Sequence, residues 1–171
     1  MNELSLIIHV SLAAILVGPQ LLMFLAVTPA SWLIGDHELR SQVVRVIARR
    51  FAVLSVVALV GLLLTWLYQL YNVTPDVIRE DMTTYRFGII FMVKMTLFLL
   101  LVAMIAFHGA VLARRMAAVT EEVKAGRAEA AALEGARRNS LLFSGVMVLV
   151  SFAILALGVL LGNMQYSYVE V

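Results

Sequence analysis

Four continuous apolar stretches of about 20 residues divide the chain, and most polar positions lie between them. The stretches cover residues 4–27, 51–71, 87–107 and 141–162. Because about 20 helical residues at about 1.5 Å each cross the hydrocarbon of a bilayer, every stretch predicts a membrane-spanning helix. The predicted fold class is therefore all-α integral membrane, an antiparallel four-helix transmembrane bundle in which residues 1–171 form a single four-span membrane domain.

The distribution of lysine and arginine predicts how these helices are oriented. Ten of these residues lie between spans one and two or between spans three and four, whereas Arg79 and Arg86 lie on the opposite side. Basic loops remain in the cytoplasm. We therefore expect a multi-pass protein of the cell inner membrane, with the N-terminus and the C-terminus outside, in the periplasm of a Gram-negative cell.

Glycine and proline positions predict where the helices end or bend. Pro29 is expected to end span one, and Pro19 to kink it, because proline lacks the backbone N–H. The alanine-rich and charged stretch 109–140 favours a helical extension of span three. Gly126 and Gly135 are expected to interrupt that extension.

Composition then excludes several classes of function. The chain is 63% hydrophobic and contains no cysteine, which excludes disulfides, thiolate metal sites, iron–sulfur clusters and covalently attached c-type haem. The net charge of +2 does not indicate nucleic acid, because the basic residues lie beside apolar segments. The spans contain no Ser/His/Asp set, phosphate-binding glycine loop or paired carboxylates, so the sequence favours a non-enzymatic protein.

A few polar side chains inside the spans predict a pocket in the outer half of the membrane. His9 lies about 8 Å into span one and Lys94 about 10 Å into span three, at about 1.5 Å per residue. The C-terminal half of span two places Thr65 and Gln69 on one helical face at a similar depth. These four side chains are predicted to converge there, together with two further polar residues, Gln20 on the face of His9 and Asn163 at the outer end of span four.

Metal and haem ligation remain open at this pocket. A soft thioether can bind Cu(I) beside an imidazole, which makes His9 a candidate metal ligand with three outer methionines, Met92, Met95 and Met164. His108 shares the face of Lys94 but lies at the cytoplasmic end of span three. His9 and His108 therefore cannot be the two axial ligands of one haem. His37, which would have to pair with His108 instead, is expected in a solvated loop.

Span four carries a further packing signal. Gly158 and Gly162 form a GxxxG pattern, which suits close contact with another helix, either within the bundle or in a partner. An accessory subunit of a larger membrane complex, contacting it through span four, is therefore a third candidate role.

Several short motifs resemble the membrane domain of copper-resistance protein D. They are His9-Val10 with Gly18, the stretch 50–55, Leu64-Thr65, and in span three the pattern 84–88 followed by Val93-Lys94-Met95. The resemblance implies an inner-membrane protein of copper handling that binds or passes copper from the periplasmic side, where a periplasmic copper carrier is a conceivable partner. It makes His9 a possible ligand and Lys94 a family landmark.

A second likeness is to the HemJ-type protoporphyrinogen oxidases. It rests on the first-span histidine, the third-span lysine and the exit Phe107-His108 followed by residues 112–115. This likeness implies a membrane redox protein that binds haem b. His9 would then be an axial ligand, and Lys94 would pair with a tetrapyrrole propionate.

Overall fold

The computed structural model describes residues 2–171, with the backbone alone described for Asn2, His37 and Ala130. Eight α-helices follow one another along the described chain: α1 Asn2–Leu22, α2 Thr28–Ser31, α3 His37–Asn72, α4 Asp76–Glu80, α5 Arg86–Phe107, α6 Ala113–Lys124, α7 Ala130–Gly162 and α8 Met164–Ser167. The prediction of an all-helical chain is confirmed, and the only β-pairing within residues 2–171 is an isolated bridge between Tyr85 and Glu170.

Four helical segments are long and apolar enough to cross a membrane, as the hydrophobic pattern predicts. They are Glu3–Ser31, Glu38–Asn72, Arg86–Lys124 and Ala131–Gly162. Two of them are continuous because π-helical turns, Met23–Val27 and His108–Leu112, join α1 to α2 and α5 to α6. The last three of these segments extend beyond the apolar stretches into parts of the chain that contain arginine.

Two predicted boundaries are corrected by the local structure. The first helix ends at Ser31 and not at Pro29, because it continues through the π-helical turn Met23–Val27 and Pro29 lies in the first turn of α2 that follows. His37 is not in a loop but begins α3, whose N-cap Asp36 accepts hydrogen bonds from the N–H groups of Glu38 and Leu39. Asparagine and aspartate are favoured at this position for that reason.

The segment between α5 and α7 confirms one predicted glycine break and contradicts the other. Gly126 has φ +68° and ends α6, with its own N–H bonded to Val123 and that of Arg127 to Glu122. This left-handed glycine after the C-cap is the Schellman motif, in which a Cβ would be strained. Gly135 lies inside α7 and does not interrupt it, because neighbouring alanines and leucine favour helix.

Contact density divides the chain into two units, each with its own packing. The first contains the chain up to Ile90 together with Val159–Val171, and the second is Phe91–Gly158. The first unit holds α1 and α3, here called the first helix pair. The second unit holds the larger parts of α5 and α7, here called the second helix pair.

The first helix pair is antiparallel and closely packed. Contacts join Ser5 to Gln69, His9 to Thr65, and Leu12 to the position of Gly61. Each step of three or four residues along α1 matches a similar step backward along α3, so that one face of each helix meets the other. Near the middle, Leu16 and Ala58 are 3% and 0% exposed, and form the core of this pair.

The second helix pair has a seven-residue repeat. Lys94 lies beside Gly158 at one end, and His108 stacks on Phe143 at the other. Halfway between them, Leu101 and Ser151 are each 2% exposed. Because Lys94, Leu101 and His108 are spaced by seven, they lie on one helical face, and Ser151 and Gly158 repeat that spacing on α7.

The C-terminal residues return to the turn before α5, within the first unit. The N–H of Val171 donates to the carbonyl of Thr84, and that of Arg86 donates to the carbonyl of Val169. Tyr168 packs edge-on against Phe87, and burial raises the pKa of its hydroxyl. These contacts hold the tail 163–171 against the start of α5.

Candidate functional site

The centre of the candidate site is a hydrogen bond between α1 and α3. The Nδ1 atom of His9 lies 2.7 Å from the hydroxyl oxygen of Thr65. That hydroxyl is also 2.8 Å from the carbonyl oxygen of Gly61, four residues earlier on α3. A second carbonyl oxygen, that of Leu62, lies 3.1 Å from the same hydroxyl. The imidazole is half-buried.

This arrangement favours one tautomer of the imidazole. The Thr65 hydroxyl has one hydrogen, and both carbonyl oxygens can only accept. If that hydrogen is donated to Gly61, the hydroxyl oxygen accepts from His9, and two hydrogen bonds form. If it is donated to His9, the hydroxyl oxygen faces a carbonyl oxygen at 2.8 Å without a proton between them. The contacts with Thr65 therefore favour the tautomer of neutral His9 that carries its proton on Nδ1 and its lone pair on Nε2.

A lone pair on Nε2 is the state in which histidine binds a metal ion. Metal-ligating histidines usually donate their other N–H to a protein acceptor, which orients the ring and raises its basicity. Here Thr65 is that acceptor, and it passes the hydrogen bond on to the backbone of its own helix. The contact with Thr65 is of the kind that usually orients a metal-ligating histidine.

Gln69 extends the same interface one turn toward the N-terminus of α1. Its side-chain amide donates to the carbonyl oxygen of Ser5 at 3.3 Å and lies 3.4 Å from the Ser5 hydroxyl. Gln20, on the other side of His9 along α1, is 6% exposed. The structure therefore brings His9, Thr65 and Gln69 to one interface, and buries Gln20 further along the same helix.

Lys94 belongs to the second unit, where its ammonium points at α7. The Nζ atom lies 3.6 Å from the position that a Cβ on Gly158 would occupy, and the side chain is half-buried. None of the four predicted spans contains an aspartate or a glutamate. The approach of Lys94 to His9 stays a prediction, because the two residues lie in different units.

His108 begins the π-helical turn at the far end of the second helix pair. Its ring stacks on Phe143 with centroids 5.9 Å apart and an interplanar angle of 13°. Its Nδ1 atom is buried, and no hydrogen-bond partner for that atom is found in the described part of the chain. The side chain of His37, the second histidine weighed for haem, lies outside what the structure describes.

The predicted thioether ligands are divided between the units. Met92 and Met95 lie on α5 in the second unit, where Met92 is 62% exposed. Met164 lies with His9 in the first unit and is 58% exposed on α8. Asn163 is the N-cap residue of α8 and is exposed. Across residues 2–171, no three His, Cys, Asp or Glu side chains form a metal-binding group.

Sequence reasoning missed two residues that shape the site. Ser5 receives the Gln69 amide, and its position four residues before His9 was the available signal. Gly61 allows α1 to approach, since a Cβ there would lie 2.7 Å from a methyl group of Leu12. Gly61, Thr65 and Gln69 are spaced by four residues and so lie on one face of α3. The sequence alone could therefore have predicted that Gly61 shares the face of Thr65 and Gln69.

The chain matches no family model, no curated protein and no solved structure.

Proposed function

We propose that this chain is an inner-membrane protein of copper handling, which binds Cu(I) at His9 from the periplasmic side. The observation that supports the proposal is the contact between His9 and Thr65, which favours the tautomer with the lone pair on Nε2. In the proposed arrangement the four long helices form one antiparallel bundle with both termini outside. The ten-to-two distribution of basic residues supports that orientation.

Thioether sulfur completes the proposed copper site. Cu(I) prefers soft ligands, and the chain has no cysteine, so methionine is the available sulfur donor. Met164 is the candidate in the same unit as His9, and Met92 and Met95 are the candidates on α5. A periplasmic copper carrier would deliver the ion.

Haem b binding is a second candidate, supported by the surroundings of Lys94. An ammonium inside a span is costly, and none of the four spans supplies a carboxylate to offset it. A propionate of a bound tetrapyrrole would supply that charge, with His9 as axial ligand. In the third candidate role, that of an accessory subunit, the carboxylate that pairs with Lys94 would come from a partner protein.

One purification separates the three candidates. Under the copper proposal the protein is colourless and binds Cu(I) stoichiometrically, and His9→Ala removes this binding. A Soret band that is lost in His9→Ala would show that the protein binds haem and would contradict the copper proposal. A colourless protein that binds no Cu(I) and co-purifies with larger membrane subunits would contradict both.

A milder variant tests the hydrogen bond itself. Thr65→Val keeps the shape of the side chain and removes the acceptor of the His9 N–H, so that Cu(I) affinity is expected to fall 10- to 100-fold. Thr120→Val is the matched control, because Thr120 donates to the carbonyl of Met116 in the same way without contacting a histidine. Equal Cu(I) affinities of the two variants would contradict the proposal.

A further inference from the structure

One buried serine in the first unit stands apart from the other hydroxyl residues of the long helices. Ser55 lies on α3 and is 3% exposed, and no hydrogen-bond partner for its hydroxyl oxygen is found among the residues that the structure describes. By contrast, Thr65, Ser144 and Ser151 each donate to the carbonyl oxygen four residues earlier in their own helix. Because a buried hydroxyl without a hydrogen bond is costly, a bound partner is expected at Ser55.

The register of the first helix pair shows what lies opposite this serine. Toward one end of the pair His9 contacts Thr65, and toward the other end Val27 and Ile47 line the same small groove. These two contacts are 18 residues apart on both sides of the interface. Between them, each step forward along the first span therefore corresponds to an equal step backward along α3.

Ser55 accordingly lies opposite the proline inside the first span. Pro19 follows His9 by ten residues, and Ser55 precedes Thr65 by ten, so the two lie at the same level. Pro19 is half-buried inside α1. Because proline has no N–H, the carbonyl oxygen of Ile15 lacks its usual helical donor. A carbonyl and a hydroxyl, each without a hydrogen bond from its own helix, thus lie at one level of the interface.

The neighbouring residues determine what kind of ligand fits there. Leu16 and Ala58, the core of the first helix pair, are buried one turn closer to His9, so the ligand must be small. Gln20 is also buried, and its carboxamide can bond a ligand in addition to the contact that it already makes. None of the four spans contains an aspartate or a glutamate, so the site has no negative charge to hold a cation.

We propose that one water molecule is bound at this level and joins the Ser55 hydroxyl to the carbonyl oxygen of Ile15. Water is small and neutral, and it can donate to a carbonyl while it shares a second hydrogen bond with a hydroxyl. Buried waters make about three hydrogen bonds, and the Gln20 carboxamide is the third group at this level. Ordered water is one of the ways in which proline is accommodated in a membrane helix.

The water has a structural consequence for the first helix pair. It replaces the helical hydrogen bond that Pro19 removes, and it links α1 to α3 on the side of Leu16 and Ala58 that is remote from His9. The water site shares no residue with the proposed copper site and does not depend on it.

X-ray radiolysis of the full-length protein in detergent micelles tests the proposal, because hydroxyl radicals formed from a bound water oxidise the side chains beside it. Leu16 is the reporter, since it follows Ile15 and is 3% exposed. Leu101 is the reference, a leucine that is 2% exposed in the second helix pair. Peptide mass spectrometry gives both oxidation rates, and Leu16 is expected to be oxidised faster than Leu101.

Two variants remove the water by different routes. Ser55→Ala deletes the hydroxyl, and Pro19→Ala returns an N–H to the carbonyl of Ile15. Each variant is expected to lower the oxidation rate of Leu16 to that of Leu101. Pro19→Ala keeps the test available should Ser55→Ala unfold, because alanine is the best helix former.

Ser151→Ala is the matched control. Ser151 is 2% exposed, and its hydroxyl already donates to the carbonyl of Met147. The same substitution at the same degree of burial therefore removes no water, and the oxidation rate of Leu16 is expected to stay unchanged.

Four results would overturn the proposal. Equal oxidation of Leu16 and Leu101 in the unaltered protein would show that no water is bound there. Undiminished oxidation of Leu16 in folded Ser55→Ala or Pro19→Ala would place the water elsewhere. An equal decrease in Ser151→Ala would show a general change of the fold. A decrease when sodium chloride replaces choline chloride in the buffer would show that a cation occupies the site.

Discussion

The two helix pairs hold polar side chains in different ways. In the first, Cα atoms of α1 and α3 repeatedly approach within 8 Å, and His9 and Gln69 form hydrogen bonds directly across the interface. Within the described residues α5 and α7 do not show this repeated close approach, and the side chains of Lys94 and His108 extend from α5 to α7.

The difference predicts opposite sensitivities to side-chain size. Small residues, Ala58 and Gly61, allow the backbones of the first pair to approach, so added atoms find no room there. In the second pair the large side chain of Leu101 occupies the space between more distant helices. Enlarging a side chain should therefore lower stability most in the first pair, and truncating a side chain should lower it most in the second pair.

Truncation in the second pair is expected to have the largest effect. Leu101→Ala removes a side chain that is 2% exposed and leaves a cavity, which costs about 2–5 kcal/mol of unfolding free energy. Leu99→Ala is the matched control, because Leu99 on the same helix is 67% exposed and should change stability by less than about 0.5 kcal/mol. Unfolding in detergent micelles titrated with dodecyl sulfate measures both. Equal losses would contradict the assignment of Leu101 to the core.

Enlargement compares the two pairs with one identical substitution. A Cβ on Gly61 would lie 2.7 Å from Leu12 Cδ1, whereas a Cβ on Gly158 would lie 3.6 Å from Lys94 Nζ, an ordinary contact. Gly61→Ala is therefore expected to be less stable than Gly158→Ala by about 1–3 kcal/mol. The same unfolding titration checks this, and a Gly158→Ala variant that is the less stable of the two would reverse our comparison.

The Gln69–Ser5 hydrogen bond is expected to contribute less. Hydrogen bonds between membrane helices average about 0.6 kcal/mol, because the separated helices find other partners. A double-mutant cycle with Ser5→Ala and Gln69→Leu should give a coupling free energy near that value. Strictly additive effects would show that the Gln69 amide uses only the backbone carbonyl of Ser5.

The smallest expected effect is a pH dependence in the turn before α5. The hydroxyls of Thr84 and Thr83 donate to the Asp81 carboxylate and hold its pKa below the ordinary value of 3.8. A lowered pKa contributes stability above 3.8 that is lost as the pH falls through the folded value. The Val171 N–H donates to the carbonyl of Thr84. Its protection against hydrogen exchange with solvent should therefore fall below about pH 4. Asp81→Asn should remove this pH dependence, and an unchanged profile in that variant would contradict the assignment.

The number and type of the long helices followed from hydrophobic runs alone, because length and apolar composition suffice to predict them. Their ends did not, since α3 begins at a side-chain cap, Asp36, and α1 continues through a π-helical turn into α2 past Pro29. The helix break at Gly126 was predicted correctly. The break predicted at Gly135 was wrong, because residue type alone does not distinguish the two glycines.

The candidate site was predictable in part. The spacing of Thr65 and Gln69 placed them on one face, and depth placed His9 beside them. Neither spacing nor depth shows which ring nitrogen meets the Thr65 hydroxyl, because that depends on the rotation of two side chains. The stacking of His108 on Phe143 was likewise hidden, since it also depends on side-chain rotation.

The central claim is that Thr65 fixes the proton of His9 on Nδ1. The most direct measurement is the nitrogen NMR spectrum of the metal-free protein labelled at histidine, recorded where His9 is neutral. We predict a protonated Nδ1 and an unprotonated Nε2 for His9, with that preference lost in Thr65→Val and kept in Thr120→Val. A His9 protonated on Nε2 in the unaltered protein would contradict the account.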